Sequence, residues 1–267
     1  MTAWMAAILG VVEGLTEYLP VSSTGHLILV GRLLGDSSEA SQAFDIVIQL
    51  GAILAVLVLY GKLLAERVRG LLHKDAQAIR LFAALGAGFL PAAVVGLVAR
   101  KWIKAHLFGP LPVAFALIFG GVLMIVMERV RKARHIHGED GLEKVTVRRG
   151  FFIGIAQCFA MWPGMSRSMS TIVGGQLTGL STATAAEFSF LLGLPTLGAA
   201  CLYEAWKSRH ELALGSPLPL IIGLVVSFVV AWAVIAFFVR YLQRRGLEPF
   251  GYYRIVLGAL VLFLVLR

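Results

Sequence analysis

Glu13 and Glu17 stand four residues apart, and Pro20, Ser22, Ser23, Thr24 and His26 follow closely behind them. A spacing of four puts both carboxylates on one face of a helix. In a low dielectric, two neighbouring carboxylates do not both ionise freely. They hold a cation, share a proton, or divide into an acid and a base. A pair that snorkels to the membrane edge is the bland alternative, but both residues lie in an otherwise uncharged stretch of about thirty residues. Proline breaks the helix at Pro20, and the hydroxyls behind it are expected to cap the next half-helix. Capping explains one hydroxyl and leaves the others as phosphate ligands or as a nucleophile beside exposed backbone N–H groups. His26 is within reach of that cluster as a general base or acid, or serves only as a hydrogen-bonding helix contact.

A second group lies at Pro163-Gly164-Met165-Ser166-Arg167-Ser168. Arg167 is the only formal charge between Arg149 and Glu187. An arginine in so apolar a stretch is costly and persists mainly where an anion compensates it. Phosphate is its natural counterpart, because the guanidinium fork grips it in two places. The two groups together provide carboxylates, hydroxyls, an imidazole, a guanidinium and two helix N-termini. That set suits hydrolysis of a phosphoric anhydride, with Arg167 and the helix ends stabilising charge on phosphate oxygens and the glutamates handling a cation or a proton. Ser22, Thr24, Ser166, Arg167 and Ser168 are the expected phosphate ligands, and Glu13 and Glu17 the expected metal ligands. A site inside a membrane favours a lipid phosphate as substrate.

The elements that must position these residues read as membrane helices. The chain has 267 residues, of which 58% are hydrophobic and 15% charged. Its mean hydropathy is +0.84. A soluble domain of this length carries more charge. Roughly 20 helical residues cross the hydrocarbon, and spans are expected near residues 43–61, 81–99, 105–127, 188–206, 212–239 and 250–266. Residues 1–31 and 150–181 differ: each is apolar, carries the polar residues above, and is cut by proline. Each is expected to fold as a re-entrant hairpin, since broken backbone at membrane depth is tolerated only against protein or a wet cavity. Cys158 and Cys201 show no pairing or metal-ligand spacing and read as small buried hydrophobes. The N-terminus has no positive region or cleavage-like site, so no removable signal peptide is expected. The net charge of +9 fits loops facing anionic lipid, and no nucleic-acid partner is expected.

Segments recur at offsets of 142–144: Gly10-Val-Val-Glu13 with Gly154-Ile-Ala-Gln157, Pro20-Val-Ser-Ser-Thr24 with Pro163-Gly-Met-Ser-Arg167, and Gln49-Leu-Gly51 with Leu191-Leu-Gly193. Each half holds one hairpin and three spans, an odd number, so the halves are inverted. Sites in such folds lie near the midplane, where the broken helices meet. The expected architecture is therefore an all-α polytopic membrane protein forming one domain. Repeat one covers about 1–128 and repeat two about 150–267, with a basic loop at 129–149. Fifteen Lys/Arg in loops 62–80, 129–149 and 240–249, against six in loops 32–42, 100–104 and 207–216, place the first set in the cytoplasm. Gln49, Asp45 and Glu187 are weaker candidates, and Asp45 and Glu187 sit near span starts, where exposure to water also explains them. Arg254 either enters the site from the last span or marks its cytoplasmic edge.

At these motifs the chain resembles the undecaprenyl-diphosphatase family, also called bacitracin-resistance proteins. GVVEGLTEYLPVSSTGH, WPGMSRS, FDIVIQLG and EFSFLLGLP carry the resemblance, which covers essentially the whole length. It implies an inner-membrane enzyme that cleaves undecaprenyl diphosphate to undecaprenyl phosphate and inorganic phosphate, recycling the carrier lipid of peptidoglycan synthesis. It further implies dependence on a divalent cation, Mg²⁺ or Ca²⁺, and a cavity open to the periplasm. Function falls on Glu13, Glu17, Ser23, His26 and Arg167, and dimers are known in the family. Met169-Ser170-Thr171 departs from the smaller residues that often follow Arg-Ser. One mechanism has Ser23 attack phosphorus with His26 as base. Attack by His26, or by water activated by the glutamates, fits equally well. A polyprenyl-phosphate flippase is the rival function, since inverted repeats with broken helices also build transporters. A structural scaffold leaves Glu13, Glu17 and Arg167 unexplained.

Overall fold

A computed structural model describes residues 1–35, 39–209, 217–242 and 245–266, with the backbone alone at 39, 40, 42, 100 and 104. Parts of the loops expected at 32–42, 207–216 and 240–249 lie outside the described residues. Eleven helices are described: α1 (Ala3–Thr16), α2 (Ser23–Leu33), α3 (Glu39–Leu59), α4 (Gly61–Leu72), α5 (Ala76–His106), α6 (Pro110–Ala133), α7 (Val147–Cys158), α8 (Arg167–Leu177), α9 (Thr182–Lys207), α10 (Pro217–Leu242) and α11 (Glu248–Leu266). Five of them, α5, α6, α9, α10 and α11, are long and apolar enough to cross a membrane, and α3 with α4 makes a sixth candidate bent by 71°. The outer surface is apolar: Leu97, Val98, Phe237, Val256 and Phe263 are exposed. So much exposed hydrocarbon fits contact with lipid rather than water. This is a multi-pass, all-α membrane protein.

Two expectations need correction. The basic segment 62–80 is not a loop throughout, because α4 occupies Gly61–Leu72 and has no buried residue. Its alternation of apolar and charged residues makes a helix whose charges face outward. The segment 100–104, also expected as a loop, lies inside the last turns of α5. Charge at a helix end does not stop a helix, and Lys or Arg there complements the helix dipole.

Both breaks fall where proline predicts them. α1 ends at Thr16 and α2 starts at Ser23; α7 ends at Cys158, passes through a 3₁₀ turn at Phe159–Met161, and α8 starts at Arg167. The arms of each unit pack on each other, α1 on α2 and α7 on α8. α1 also packs along α10, and α7 along α5, while α6 and α11 meet each other. These contacts rest on glycine. A Cβ at Gly14 would come within 2.7 Å of the Val230 side chain, and one at Gly154 within 2.4 Å of the Gly88 carbonyl. Small residues let membrane helices approach until backbones touch, and here they hold the first arm of each broken unit.

Candidate active site

Each break ends in a serine that caps the following helix. Ser22 has φ +75° and accepts from the Gly25 N–H at 3.3 Å. Ser166 has φ +70° and accepts from the Met169 N–H at 3.3 Å. A left-handed φ is uncommon for serine and brings a sharp reversal of the chain. The reversal places Ser23 and Arg167 as the first residues of α2 and α8.

These two residues meet on Glu17. Ser23 Oγ donates to Glu17 Oε2 at 2.6 Å. Arg167 Nη2 donates to Glu17 Oε1 at 3.0 Å, both side chains being nearly buried. Arg167 Nη1 reaches Ser189 on α9, at 2.8 Å to its carbonyl and 3.1 Å to its hydroxyl. Thr171 shares a hydrogen bond with that hydroxyl at 2.6 Å. The guanidinium lies over the Tyr18 ring, 5.4 Å from its centroid, and Nε–H has no partner. One donor of the arginine is thus unspent in a site where polar groups are normally satisfied.

Glu13 is fully buried, and neither of its carboxylate oxygens has a hydrogen-bond partner. It has the lone pairs a cation requires. The oxygens of Glu17, by contrast, are already committed to Ser23 and Arg167, so the expected sharing of a metal between the two glutamates is uneven. Among the described residues no three His, Cys, Asp or Glu side chains gather as a metal cage. A cation on Glu13 would therefore take its remaining ligands from water or substrate oxygens, as Mg²⁺ commonly does.

His26 does not stand on Ser23. Its Nδ1 hydrogen-bonds the Ser22 carbonyl at 2.8 Å and its Nε2 the Tyr253 hydroxyl at 2.6 Å. The rings of His26 and Tyr253 stack, 5.7 Å apart and 6° from parallel. The helix turns the imidazole back over its own first turn, toward α11, so the Ser23 proton faces Glu17 instead. Thr24 is half-buried in that turn. Ser166 and Ser168 hydrogen-bond each other at 3.0 Å, and Ser168 donates to the Leu19 carbonyl at 3.0 Å, tying the second unit to the first break.

Arg254 enters the protein and does not mark an edge. It is fully buried and donates to Pro20 O at 3.1 Å, Gly164 O at 2.9 Å, Ala116 O at 3.1 Å and Leu117 O at 3.4 Å. One guanidinium from α11 therefore joins both breaks to α6. Gln49 Oε1 accepts from the Cys201 thiol at 3.7 Å. Sequence reasoning missed Tyr18, Ser189 and Tyr253. Tyr18 and Ser189 lie inside the segments GVVEGLTEYLPVSSTGH and EFSFLLGLP, and Tyr253 is an aromatic near the start of the last span.

The family model described as bacitracin resistance protein BacA matches residues 6–260. A protein of Sorangium cellulosum named undecaprenyl-diphosphatase is 60% identical over 97% of this chain and 85% of its own length. Proteins of the same name from Rhizorhabdus wittichii and Thermoanaerobacter sp. are 46% and 45% identical, covering 100% and 97% of this chain and 98% and 96% of their own lengths. A chain matched over nearly its whole length, with both serine-capped breaks inside the match, belongs to the bacitracin resistance protein BacA family.

Proposed function

We infer that this chain hydrolyses undecaprenyl diphosphate to undecaprenyl phosphate and inorganic phosphate, the activity its relatives are named for. The product is the carrier lipid used in building the cell envelope, and its recycling accounts for bacitracin resistance in the family name. The observation that carries a catalytic reading is the chain of contacts Ser23–Glu17–Arg167, which a protein that merely bound phosphate would not require.

In the mechanism read from these contacts, Ser23 Oγ attacks the terminal phosphorus and its proton passes to Glu17 Oε2. The bond from phosphorus to the bridging oxygen breaks, and undecaprenyl phosphate leaves as Glu17 returns that proton to the departing oxygen and is ionised again. Water then attacks the phosphoserine, Glu17 takes a proton from the water and passes it to Ser23 Oγ as the Oγ–phosphorus bond breaks, and inorganic phosphate departs. Little covalent help is needed in such a transfer, because most of the catalysis is positioning and charge stabilisation. Arg167 supplies that charge, its Nε–H being without a protein partner, and the α2 and α8 N-termini add theirs. Glu13 would hold a divalent cation, Mg²⁺ or Ca²⁺, that neutralises diphosphate oxygens when bound. His26, fixed by Ser22 and Tyr253, shapes the mouth of α2 and is not the base for Ser23.

The two halves are read as inverted repeats with re-entrant broken units, in the inner membrane, with the basic loops in the cytoplasm and the site reached from the periplasmic side. The matching caps at Ser22 and Ser166 support the repeat. Cysteine labelling at residues 35 and 142 in intact cells tests it: only the former is expected to react from outside. A dimer rests on the resemblance alone and is tested by mass photometry. Transport is the rival function. Rapid quench with ³²P-labelled substrate separates the two, since label on Ser23 supports hydrolysis through the serine and label nowhere, without phosphate release, supports transport.

A further inference from the structure

Beside the first turns of α7, away from every residue used above, lies a cleft of about 880 Å³. Its walls divide by chemistry. Phe152, Ile155, Phe159 and Leu177 form an apolar trough along α7 and the end of α8, and all four are exposed. From Arg148 to Phe159 the helix rises about 16 Å at 1.5 Å per residue. That is close to half of a hydrocarbon core about 30 Å thick, the depth of one leaflet. The other wall carries Arg80, Lys144, Arg148 and Arg149 against Glu139 and Glu143, a net +2.

The cations are not equivalent. Arg149 is committed to Glu139 and to the Lys144 carbonyl, and Arg80 donates to the Glu143 carbonyl at 3.2 Å. Lys144 and Arg148 are exposed and form no salt bridge among the described residues, Lys144 acting on Glu139 only at longer range. Arg148 lies over the Phe152 ring, 5.8 Å from its centroid, so a cation sits where the apolar wall begins. A soluble anion would leave the trough facing water, and a zwitterionic headgroup would gain little from the net charge. A molecule with a phosphate at one end and an acyl chain at the other satisfies both walls.

We propose that this cleft binds an anionic phospholipid, with its phosphate on Lys144 and Arg148 and an acyl chain along Phe152, Ile155, Phe159 and Leu177. Along α8 the nearest residue of the cleft, Gly174, lies about 10 Å beyond Arg167, and none of the residues placed in the active site lines the cleft. The lipid is a neighbour of the catalytic site and does not occupy it, and the proposal stands without the catalytic reading.

The test is native mass spectrometry of the protein released into neutral detergent from vesicles of equal phosphatidylglycerol and phosphatidylcholine. The expected result is retained phosphatidylglycerol, reduced at least fivefold by Lys144→Gln with Arg148→Gln, and unchanged by Lys62→Gln with Arg69→Gln on α4. Both double variants alter exposed side chains and should keep the wild-type unfolding temperature and phosphate release in neutral detergent. Phe152→Asp, which leaves the cations in place, should lower retention as well. Equal retention in the cleft and control variants overturns the proposal. So does equal retention of phosphatidylcholine, displacement by millimolar inorganic phosphate, or preferential displacement by undecaprenyl phosphate.

Discussion

Glu17 and Arg167 lie 150 residues apart in the chain and meet at 3.0 Å in its interior. The pair is the seam between the two broken units, and the second oxygen of Glu17 extends it to Ser23. Removing one partner of a buried pair costs about 3–5 kcal/mol, because the other charge is left uncompensated. Arg167→Ala should therefore lower thermal stability in detergent as well as abolish turnover. The double variant Glu17→Gln with Arg167→Ala should recover much of the stability and none of the activity. A double variant no more stable than Arg167→Ala contradicts the pairing.

Ser22 and Ser23 are adjacent and separable. Ser22 caps α2, and losing such a cap costs about 1 kcal/mol. Ser22→Ala should lower the unfolding temperature by a few degrees and keep activity within about tenfold. Ser23 spends its hydroxyl on Glu17, so Ser23→Ala should fold normally and lose phosphate release by about a thousandfold or more. Comparing unfolding temperature with phosphate release for each variant checks both expectations. Equal activity in the two variants contradicts the assigned roles.

His26 and Tyr253 share one hydrogen bond and one stacking contact. Tyr253→Phe removes the first and keeps the second. Such a bond is worth about 1 kcal/mol, so kcat should fall by less than about tenfold. His26→Ala loses both and should fall further. If His26 were instead the base for Ser23, Tyr253→Phe would shift the acidic limb of the kcat pH profile, and no such shift is expected.

Arg254 holds the Pro20 and Gly164 carbonyls together. A lysine has one ammonium in place of a planar fork and cannot reach all four carbonyls. Arg254→Lys should keep the protein inserted and folded but separate the two half-sites, lowering kcat about a hundredfold with a smaller change in KM. A 1 Å displacement of reacting groups is enough for a loss of that size. Unchanged kcat in a folded Arg254→Lys protein contradicts the positioning role.

The breaks, the spans and the central residues were legible in the sequence because each is local. Pro20 and Pro163-Gly164 interrupt helices by their own covalent structure, and Glu17 and Arg167 are conspicuous in apolar surroundings. What sequence concealed depends on contacts between distant elements. Arg254 reads as a charge near a helix start, and nothing around it reveals four carbonyls supplied by α6 and the two breaks. His26 stands close enough to Ser23 to suggest a base, but the hydrogen bond to Tyr253, 227 residues away, sets its direction. The amphipathic α4 was hidden because its charges look like those of a loop.

The most direct test is phosphate release from undecaprenyl diphosphate by the purified, lipid-reconstituted protein, measured with and without EDTA beside Ser23→Ala and Glu17→Gln. Release by the wild type, suppressed by EDTA and lost in both folded variants, is the predicted result. Release that persists in Ser23→Ala or Glu17→Gln, or none from the folded wild type, contradicts the serine–glutamate–arginine account.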